Sequence, residues 1–458
     1  MLTDISKENR LGGFDMVDTF SLLQKYTGIS RYSQSEVITP QNIVSDMVDL
    51  LPQEVFNPDA TFFDPAVKSG RFLIEIYNRL MASPLLAHIP EPDRHKHIIE
   101  KQLFGFATSQ TAAIVVRKAL YNDPLVTGNI HFTSGKVTKE SVQGAFNNMK
   151  FDVVIGNPPY NKGMDIDFVN LGFELSTKYC VMIIPAKWQT ADANQKVASK
   201  MSYGDFRNKF VPHIKSVNYF PDSYDLFDIK AVDGITYFII DKNTVYETTT
   251  VTNSCNIQPI LNSSKSRSLK DGVTLWNIGA EILESLGKYE KFSIPYQTTG
   301  RFWVNVNTQA SPGGGGFATK ELNNAGKYVT KAGVVGNGGM LLSPNKKNIP
   351  VIGKIQLIDS NNPLQVLDMS GTCCVVYRSD SIDECRSFIS FLQAKLVRFL
   401  ILINLSKLTI IDDTTFRYVP NPPSGKFDHI YTDAELYRDF HLPQKYIDVI
   451  EAIIRERK

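Results

Sequence analysis

Cysteine is scarce in this chain. The five residues are Cys180, Cys255, Cys373, Cys374 and Cys385, with no Cys-x-x-Cys spacing and an odd total. That pattern argues against a disulfide framework and a thiolate zinc site; reduced thiols in a cytoplasmic protein are expected instead. An excess of either charge is missing too, since 49 Lys and Arg face 47 Asp and Glu for a formal net charge of +2. Any face that binds a polyanion must therefore come from uneven placement of the charges. Met1 to Phe14 is polar, so no secretory signal is expected. A clean membrane span is also lacking. Phe388 to Leu405 is strongly apolar, but Gln393, Lys395 and Arg398 interrupt it. Those side chains are costly in a bilayer, so the stretch reads as a core-packed amphipathic helix, with no membrane partner.

What is present is ordinary globular material. With 458 residues, 43% of them hydrophobic, the chain is too long for one core and predicts at least two domains. Short apolar strands alternate with helices in the first half. Strands are expected at Thr61 to Asp64, Leu103 to Ala107, Asn129 to Phe132, Phe151 to Ile155 and Cys180 to Ile184. Ser216 to Tyr219 and Gly234 to Ile240 read as a closing antiparallel pair. Helical spacing joins Phe72, Leu73, Ile76, Tyr77 and Leu80, and a second helix is expected over Thr111 to Tyr121. The alternation predicts an α/β fold with a doubly wound sheet. Residues 246–275 are rich in Thr, Ser and Asn and read as a linker between a domain over 1–245 and a second over 276–458. The second carries glycine clusters and β-prone runs before its closing helices, and reads as β-rich α+β.

The sharpest local signal is Val153-Val-Ile-Gly-Asn157-Pro158-Pro159-Tyr160. A buried strand ends in a rigid turn at its carboxyl end, where open α/β sheets bind ligands. Asn157 offers a side-chain oxygen and Pro158 a backbone carbonyl, while the consecutive prolines cannot enter a ladder. Two acceptors aimed at one amino group would localise the lone pair of an aromatic amine such as that of adenine. Tyr160 offers a flat face for a base, worth roughly 1–3 kcal/mol. A second segment, Phe63-Asp64-Pro65-Ala66-Val67-Lys68-Ser69-Gly70, is a strand followed by a small-residue loop and a helix start, a form that holds nucleotide-like ligands. Upstream, Thr39 fits a helix N-cap with Pro40 at the first helical position.

Together these residues resemble the amino-methyltransferases of restriction–modification systems, in particular the gamma-order adenine N6 group and its Eco57I-like branch. Thr39-Pro40 looks like motif X, Asp64 to Gly70 like motif I, Asn157 to Tyr160 like motif IV, Ile183 to Trp188 like motif VI and Phe227 to Tyr237 like motif VIII. The resemblance covers Tyr32 to Asp241 and, more loosely, the tail around Val419-Pro420 and Tyr431 to Tyr437. It implies a Rossmann-like mixed seven-stranded sheet, S-adenosylmethionine as cofactor, and double-stranded DNA from which the target base is flipped out. Asp64 would then take the cofactor's ammonium and Thr39 its carboxylate, with Pro40, Pro65, Ala66, Lys68, Ser69 and Gly70 around it. Phe227, with Tyr224 as the alternative, would stack on the base opposite Tyr160, although a core position suits Phe227 equally.

The chain departs from the pattern in two places. Val67-Lys68 stands where the family usually has Cys-Gly, and no acid follows the second strand in Gly105 to Gln110. Thr108 or Ser109 would have to serve the ribose, and His131 near motif III reads as structural. The second domain would be the target-recognition part. Its candidate DNA contacts are Arg301, Phe302, Trp303, Lys320, Lys327, Lys331, Lys346 and Lys347, although each lysine taken singly reads better as an ordinary solvated one and Trp303 reads at least as well as a core residue. The roughly 30 residues before motif X are too few for a cleavage domain, so a separate restriction nuclease is the expected partner if there is one. Methylation of cytosine N4, of an RNA base or of a protein amide stays open, as does a catalytically idle specificity subunit.

Overall fold

The computed structural model describes residues 37–195, 201–227, 233–256, 258–269, 274–292, 328–334, 351–359, 374–404 and 416–454. Its centre is a nine-stranded mixed sheet in the order β3-β2-β1-β4-β5-β7-β6-β8-β9. The strands are β1 Phe62–Val67, β2 Leu103–Ala107, β3 Ile130–Phe132, β4 Phe151–Gly156, β5 Ser176–Pro185, β6 Ile214–Phe220, β7 Ile235–Asp241, β8 Thr249–Asn253 and β9 Ser263–Arg267. β1 to β5 run parallel, and β7 enters antiparallel between β5 and β6.

Successive residues of a strand face opposite sides, so an unbroken apolar run needs cover on both. The central strands behave that way. Phe62, Val153, Ile155, Val181, Ile183 and Ile239 face one core, built with α1 Gln41–Val48, α2 Arg71–Ala82 and part of α4 Gln110–Tyr121. Between α2 and α4 lies the short α3 Glu91–His97. Phe63, Val154, Cys180, Met182, Ile184 and Phe238 face the other core. That core takes in α5 Lys139–Ala145, α6 Met164–Leu175, α7 Tyr203–Phe210 and α8 Asn277–Ser285. It continues into α9 Ile382–Gln393, α10 Lys395–Leu402, α11 Asp433–Asp439 and α12 Gln444–Ile453. The second sheet, in the order β11-β10-β12, comprises β10 Tyr328–Val334, β11 Ile352–Asp359 and β12 Cys374–Ser379, and it adds Ile352 and Val376 to the same core.

Three sequence expectations are corrected here. The sheet has nine strands where seven were expected, because β8 pairs in parallel with β6 and β9 closes a hairpin on it. The segment 246–275 is therefore not simply a linker. Its Thr and Ser residues decorate the solvent face of the hairpin, where Thr250 bonds Ser266 at 3.1 Å and Thr252 bonds Ser264 at 3.0 Å. Polar side chains there imitate a loop composition. The apolar stretch from Phe388 is two helices, broken at Ala394, whose extended ψ of 143° ends α9 and starts α10. Lys395 is buried against Glu451, so its charge is paired inside the fold. No helix among the described residues is long and apolar enough to cross a membrane.

Asn277 binds the hairpin to α8. It is 1% exposed, and its Nδ2 donates to the Val251 carbonyl at 2.9 Å and to Ser263 Oγ at 3.1 Å, while Oδ1 accepts from Arg267 Nε at 3.1 Å. Its backbone N–H donates to Asn253 Oδ1 at 2.7 Å. Truncation keeps the backbone N–H but leaves the buried Val251 carbonyl and the part-buried Ser263 and Arg267 without their side-chain partner. Asn277→Ala is expected to lower unfolding free energy by about 2–4 kcal/mol. Denaturant titration checks it; a loss near zero would mean that the hairpin contributes little to the fold.

Candidate functional site

β1 and β4 are adjacent parallel strands, with Phe62 opposite Val153 and Phe63 opposite Val154. β2 and β3 lie on the far side of β1, so the chain reverses direction across the sheet between β1 and β4. The loops after these two strands leave the same carboxyl edge side by side, at the crevice where open α/β sheets take ligands. An open cleft lies there, and its walls include Thr39, Asp64, Ala66, Lys68, Ser69, Gly70 and Asn157. The structure thus brings together residues from three separate segments.

Each segment is held by a local reason. Gly70 sits at φ +77°, and a Cβ on it would come 2.9 Å from Val116 of α4. The loop therefore turns tightly onto the start of α2. Asp64 is 2% exposed, and its Oδ1 accepts the Ala66 N–H at 2.9 Å. Burial pushes its carboxyl up to about 7, with the Ala66 N–H and the Lys68 ammonium acting in the opposite direction. Gly156 makes room for it: a Cβ there would stand 2.8 Å from Asp64 Oδ1. Gly156→Ala is expected to displace the carboxylate and cost about 1–3 kcal/mol of stability. Affinity for a ligand bound in the cleft should fall at least about fivefold, or roughly 1 kcal/mol. Thermal melting and titration calorimetry check both, and unchanged affinity would remove Asp64 from the ligand site.

Asn157 is the best-defined member. It is 3% exposed, and its Nδ2 donates to the Val37 carbonyl at 3.2 Å and to Thr39 Oγ1 at 3.0 Å. A backbone carbonyl only accepts, so the amide must present its nitrogen to Val37. The oxygen then faces the other way, buried and with no hydrogen-bond partner among the described residues. An amide oxygen so placed is a waiting acceptor. Pro158 and Pro159 follow, and the half-buried Tyr160 donates to the Ile183 carbonyl of β5 at 3.4 Å. Burial holds the Tyr160 phenol well above its usual range, with Asp165 adding to the effect.

The residues 37–40 do not behave as the sequence suggests. α1 begins at Gln41 with Pro40 at its N-cap, and no side chain among the described residues caps it. Thr39 is not the N-cap: its hydroxyl receives Asn157, because a buried amide N–H needs an acceptor and Thr39 supplies one. Lys68 and Arg71 hold the same segment, Lys68 Nζ donating to the Val37 carbonyl at 3.1 Å and Arg71 Nη1 to the Thr39 carbonyl at 3.0 Å. Sequence reasoning missed Arg71, whose partner is 32 positions away and carries no local signal. Of the two hydroxyls considered after β2, Ser109 is engaged as the N-cap of α4, accepting the Ala112 N–H at 3.1 Å. Thr108 is tied to the Val67 carbonyl at the end of β1. His131 lies tilted against Phe106 and edge-on to Phe146, a packing role. Phe227 is 4% exposed within the core that Tyr160 packs against, while Tyr224 is 40% exposed. Arg301, Phe302, Trp303, Lys320, Lys327, Lys346 and Lys347 lie outside the described residues, as does the side chain of Lys331.

The strand order defines an open α/β sheet with its cleft at the β1/β4 switch point, the place where sheets of this kind take ligands. Comparison with known proteins narrows the class. Residues 17–185 match the family model described as N-6 DNA Methylase. An uncharacterized adenine-specific methylase of Mycoplasma pneumoniae is 28% identical over 299 residues, which span 47% of this chain and 69% of that protein. The chain is a homologue of adenine-specific DNA methyltransferases. Among solved structures, the EcoKI M protein of a type I restriction enzyme is 13% identical, with a TM-score of 0.38, over 50% of this chain and 49% of that one. The type I restriction–modification methyltransferase subunit from Streptococcus thermophilus is 15% identical with a TM-score of 0.35, over 54% and 52%. The chain spans about half the length of these solved subunits.

Proposed function

We propose that the protein transfers a methyl group to the exocyclic N6 amino group of an adenine flipped out of double-stranded DNA, as a gamma-order enzyme of the Eco57I-like kind. The observation that carries this reading is the Asn157 amide, with its nitrogen tethered twice and its buried oxygen unengaged among the described residues. S-adenosylmethionine, when bound, supplies the methyl group on a sulfonium. The cleft suits it. The buried Asp64 carboxyl can pair with an ammonium, Gly70 lets the backbone come close, and the N-terminus of α2 opens onto the same space.

The chain's own residues do the rest. Asn157 Oδ1 and the Pro158 carbonyl accept the two amino hydrogens and draw the nitrogen lone pair out of ring conjugation. The tethers to Val37 and Thr39 keep that acceptor in place, so no reorganisation is needed at the moment of reaction. Tyr160 stacks on one face of the base, and Phe227 or Tyr224 closes the other. Arg301, Trp303, Lys320, Lys331 and Lys346 belong to the proposed DNA-reading part of residues 276–458, and a separate nuclease is the proposed partner.

Incubation with labelled S-adenosylmethionine and mixed-sequence duplex DNA, followed by nucleoside mass spectrometry, tests the proposal. N6-methyladenine is the expected product. N4-methylcytosine, or label only in RNA or protein, would overturn the substrate; no cofactor binding at all would make the chain an idle subunit.

A further inference from the structure

Beside the Asn157 turn lies a second buried polar group, drawn from three elements. Asp165 stands at the start of α6, Lys187 just beyond β5 and Asp233 just before β7. The sheet register brings Lys187 and Asp233 together, and Lys187 also acts on Asp165. Pro185 pairs with Ile235 in the antiparallel β5–β7 ladder, so Lys187 and Asp233 lie two residues past the same rung. The Ala186 N–H donates to the Gly234 carbonyl at 3.0 Å, and Gln189 Nε2 to the Asp233 carbonyl at 3.3 Å. On the other side, Gly156 of β4 pairs with Met182 of β5, so the Asn157 turn leaves the sheet next to the strand that delivers Lys187.

The charges in this group do not balance. Asp165 is 8% exposed, and its carboxylate accepts the N–H groups of Asp165 and Ile166. Asp233 Oδ1 is buried with no hydrogen-bond partner among the described residues. Lys187 acts on both carboxyls, and its Nζ lies 5.7 Å from the centre of the Tyr203 ring. Tyr203 faces both acids, Tyr160 faces Asp165, and Asp167, itself paired with Lys136, adds repulsion at Asp165. One buried acid, Asp165, and the half-buried Asp233, whose Oδ1 is enclosed, share one half-buried lysine. Burial raises each carboxyl to about 7, Lys187 working against it, so the group holds a proton near neutrality and can exchange it.

Resting on the amino-methylation reading, we propose that the Asp165–Lys187–Asp233 group takes up the proton that the amino nitrogen sheds on methylation. The nitrogen lone pair forms the N–C bond, and the C–S bond breaks with its electron pair left on sulfur. The nitrogen then carries one hydrogen too many. That proton passes to a carboxylate of the group and from there to solvent, so charge and atoms balance. Lys187 keeps one carboxylate ionised and ready to accept.

Single-turnover methyl transfer at saturating cofactor, followed from pH 5.5 to 9, tests it. Saturation removes any ionisation that acts only through cofactor binding. The wild-type rate is expected to rise through an ionisation near neutral pH. Asp165→Asn and Asp233→Asn should each lower the rate about tenfold or more at pH 8 and flatten that rise, with cofactor affinity by calorimetry unchanged. Lys187→Met should move the ionisation upward, and it reads the same group if an Asn variant does not fold. Variants with the wild-type rate and profile overturn the proposal while leaving the proposed function intact. Absence of N6-methyladenine from wild type overturns both.

Discussion

Asn157→Ala is expected to lower the single-turnover rate of methyl transfer by about 10²–10³ or more, the scale seen when one preorganised electrostatic partner is removed from a reacting group. The effect should fall on the chemical step. The lost oxygen is buried and makes no hydrogen bond among the described residues, so its removal breaks no described interaction of the fold. The lost nitrogen does have partners, Val37 and Thr39, so cofactor affinity should weaken modestly as that segment loosens. Rapid-quench kinetics and cofactor titration separate the two. Turnover within about threefold of wild type, a barrier change below roughly 1 kcal/mol, would refute the role given to the amide.

The second large effect is in pH. With Asp64 at about 7 in the ligand-free protein, pairing with the cofactor's ammonium requires the carboxylate, so binding should release a proton below neutrality. Affinity should rise about tenfold per pH unit below 7 and level off above it, then fall as an α-amino group of ordinary pKa, about 7.7–8.0, loses its charge. Calorimetry in buffers of different ionisation enthalpy counts the proton directly. Asp64→Asn should remove the proton release and weaken binding at pH 7.5 by at least about tenfold, or roughly 1.4 kcal/mol. Ligand-free stability should move oppositely. A carboxyl raised by folding contributes stability that is present below its unfolded value of 3.8 and is lost as pH rises through about 7. The Asn variant should therefore melt higher than wild type at pH 8 and gain little at pH 4. A pH-independent affinity in wild type would show that Asp64 does not meet the ammonium.

The motifs were legible because each is local. Asn157 to Tyr160 and Asp64 to Gly70 stand out by residue type and spacing as loops at strand ends, and Leu103 to Ala107 runs to the bounds expected from its apolar run. The β8–β9 hairpin was not legible, since its outward face of Thr and Ser is the composition of a loop; its place in the sheet depends on pairing with β6, more than thirty residues earlier. Ala394 hid for the opposite reason: the apolar pattern runs across the break, and only packing on both sides shows two helices. Thr39 carried a sound local signal that a distant partner overrode.

By itself the sequence determined the class of fold, the order of its central strands along the chain and the turn that bears Asn157, because hydrophobic period and turn chemistry act over a few residues. The tertiary structure alone decided which way the Asn157 amide faces and that Arg71 and Lys68 hold the segment before α1. It alone decided that Lys187 and Asp233 flank the same rung of β5 and β7 and that Lys187 acts on both Asp165 and Asp233. Those outcomes rest on hydrogen bonds, burial and charge between residues far apart in the chain. Such terms have no value until the sheet register places the partners within reach.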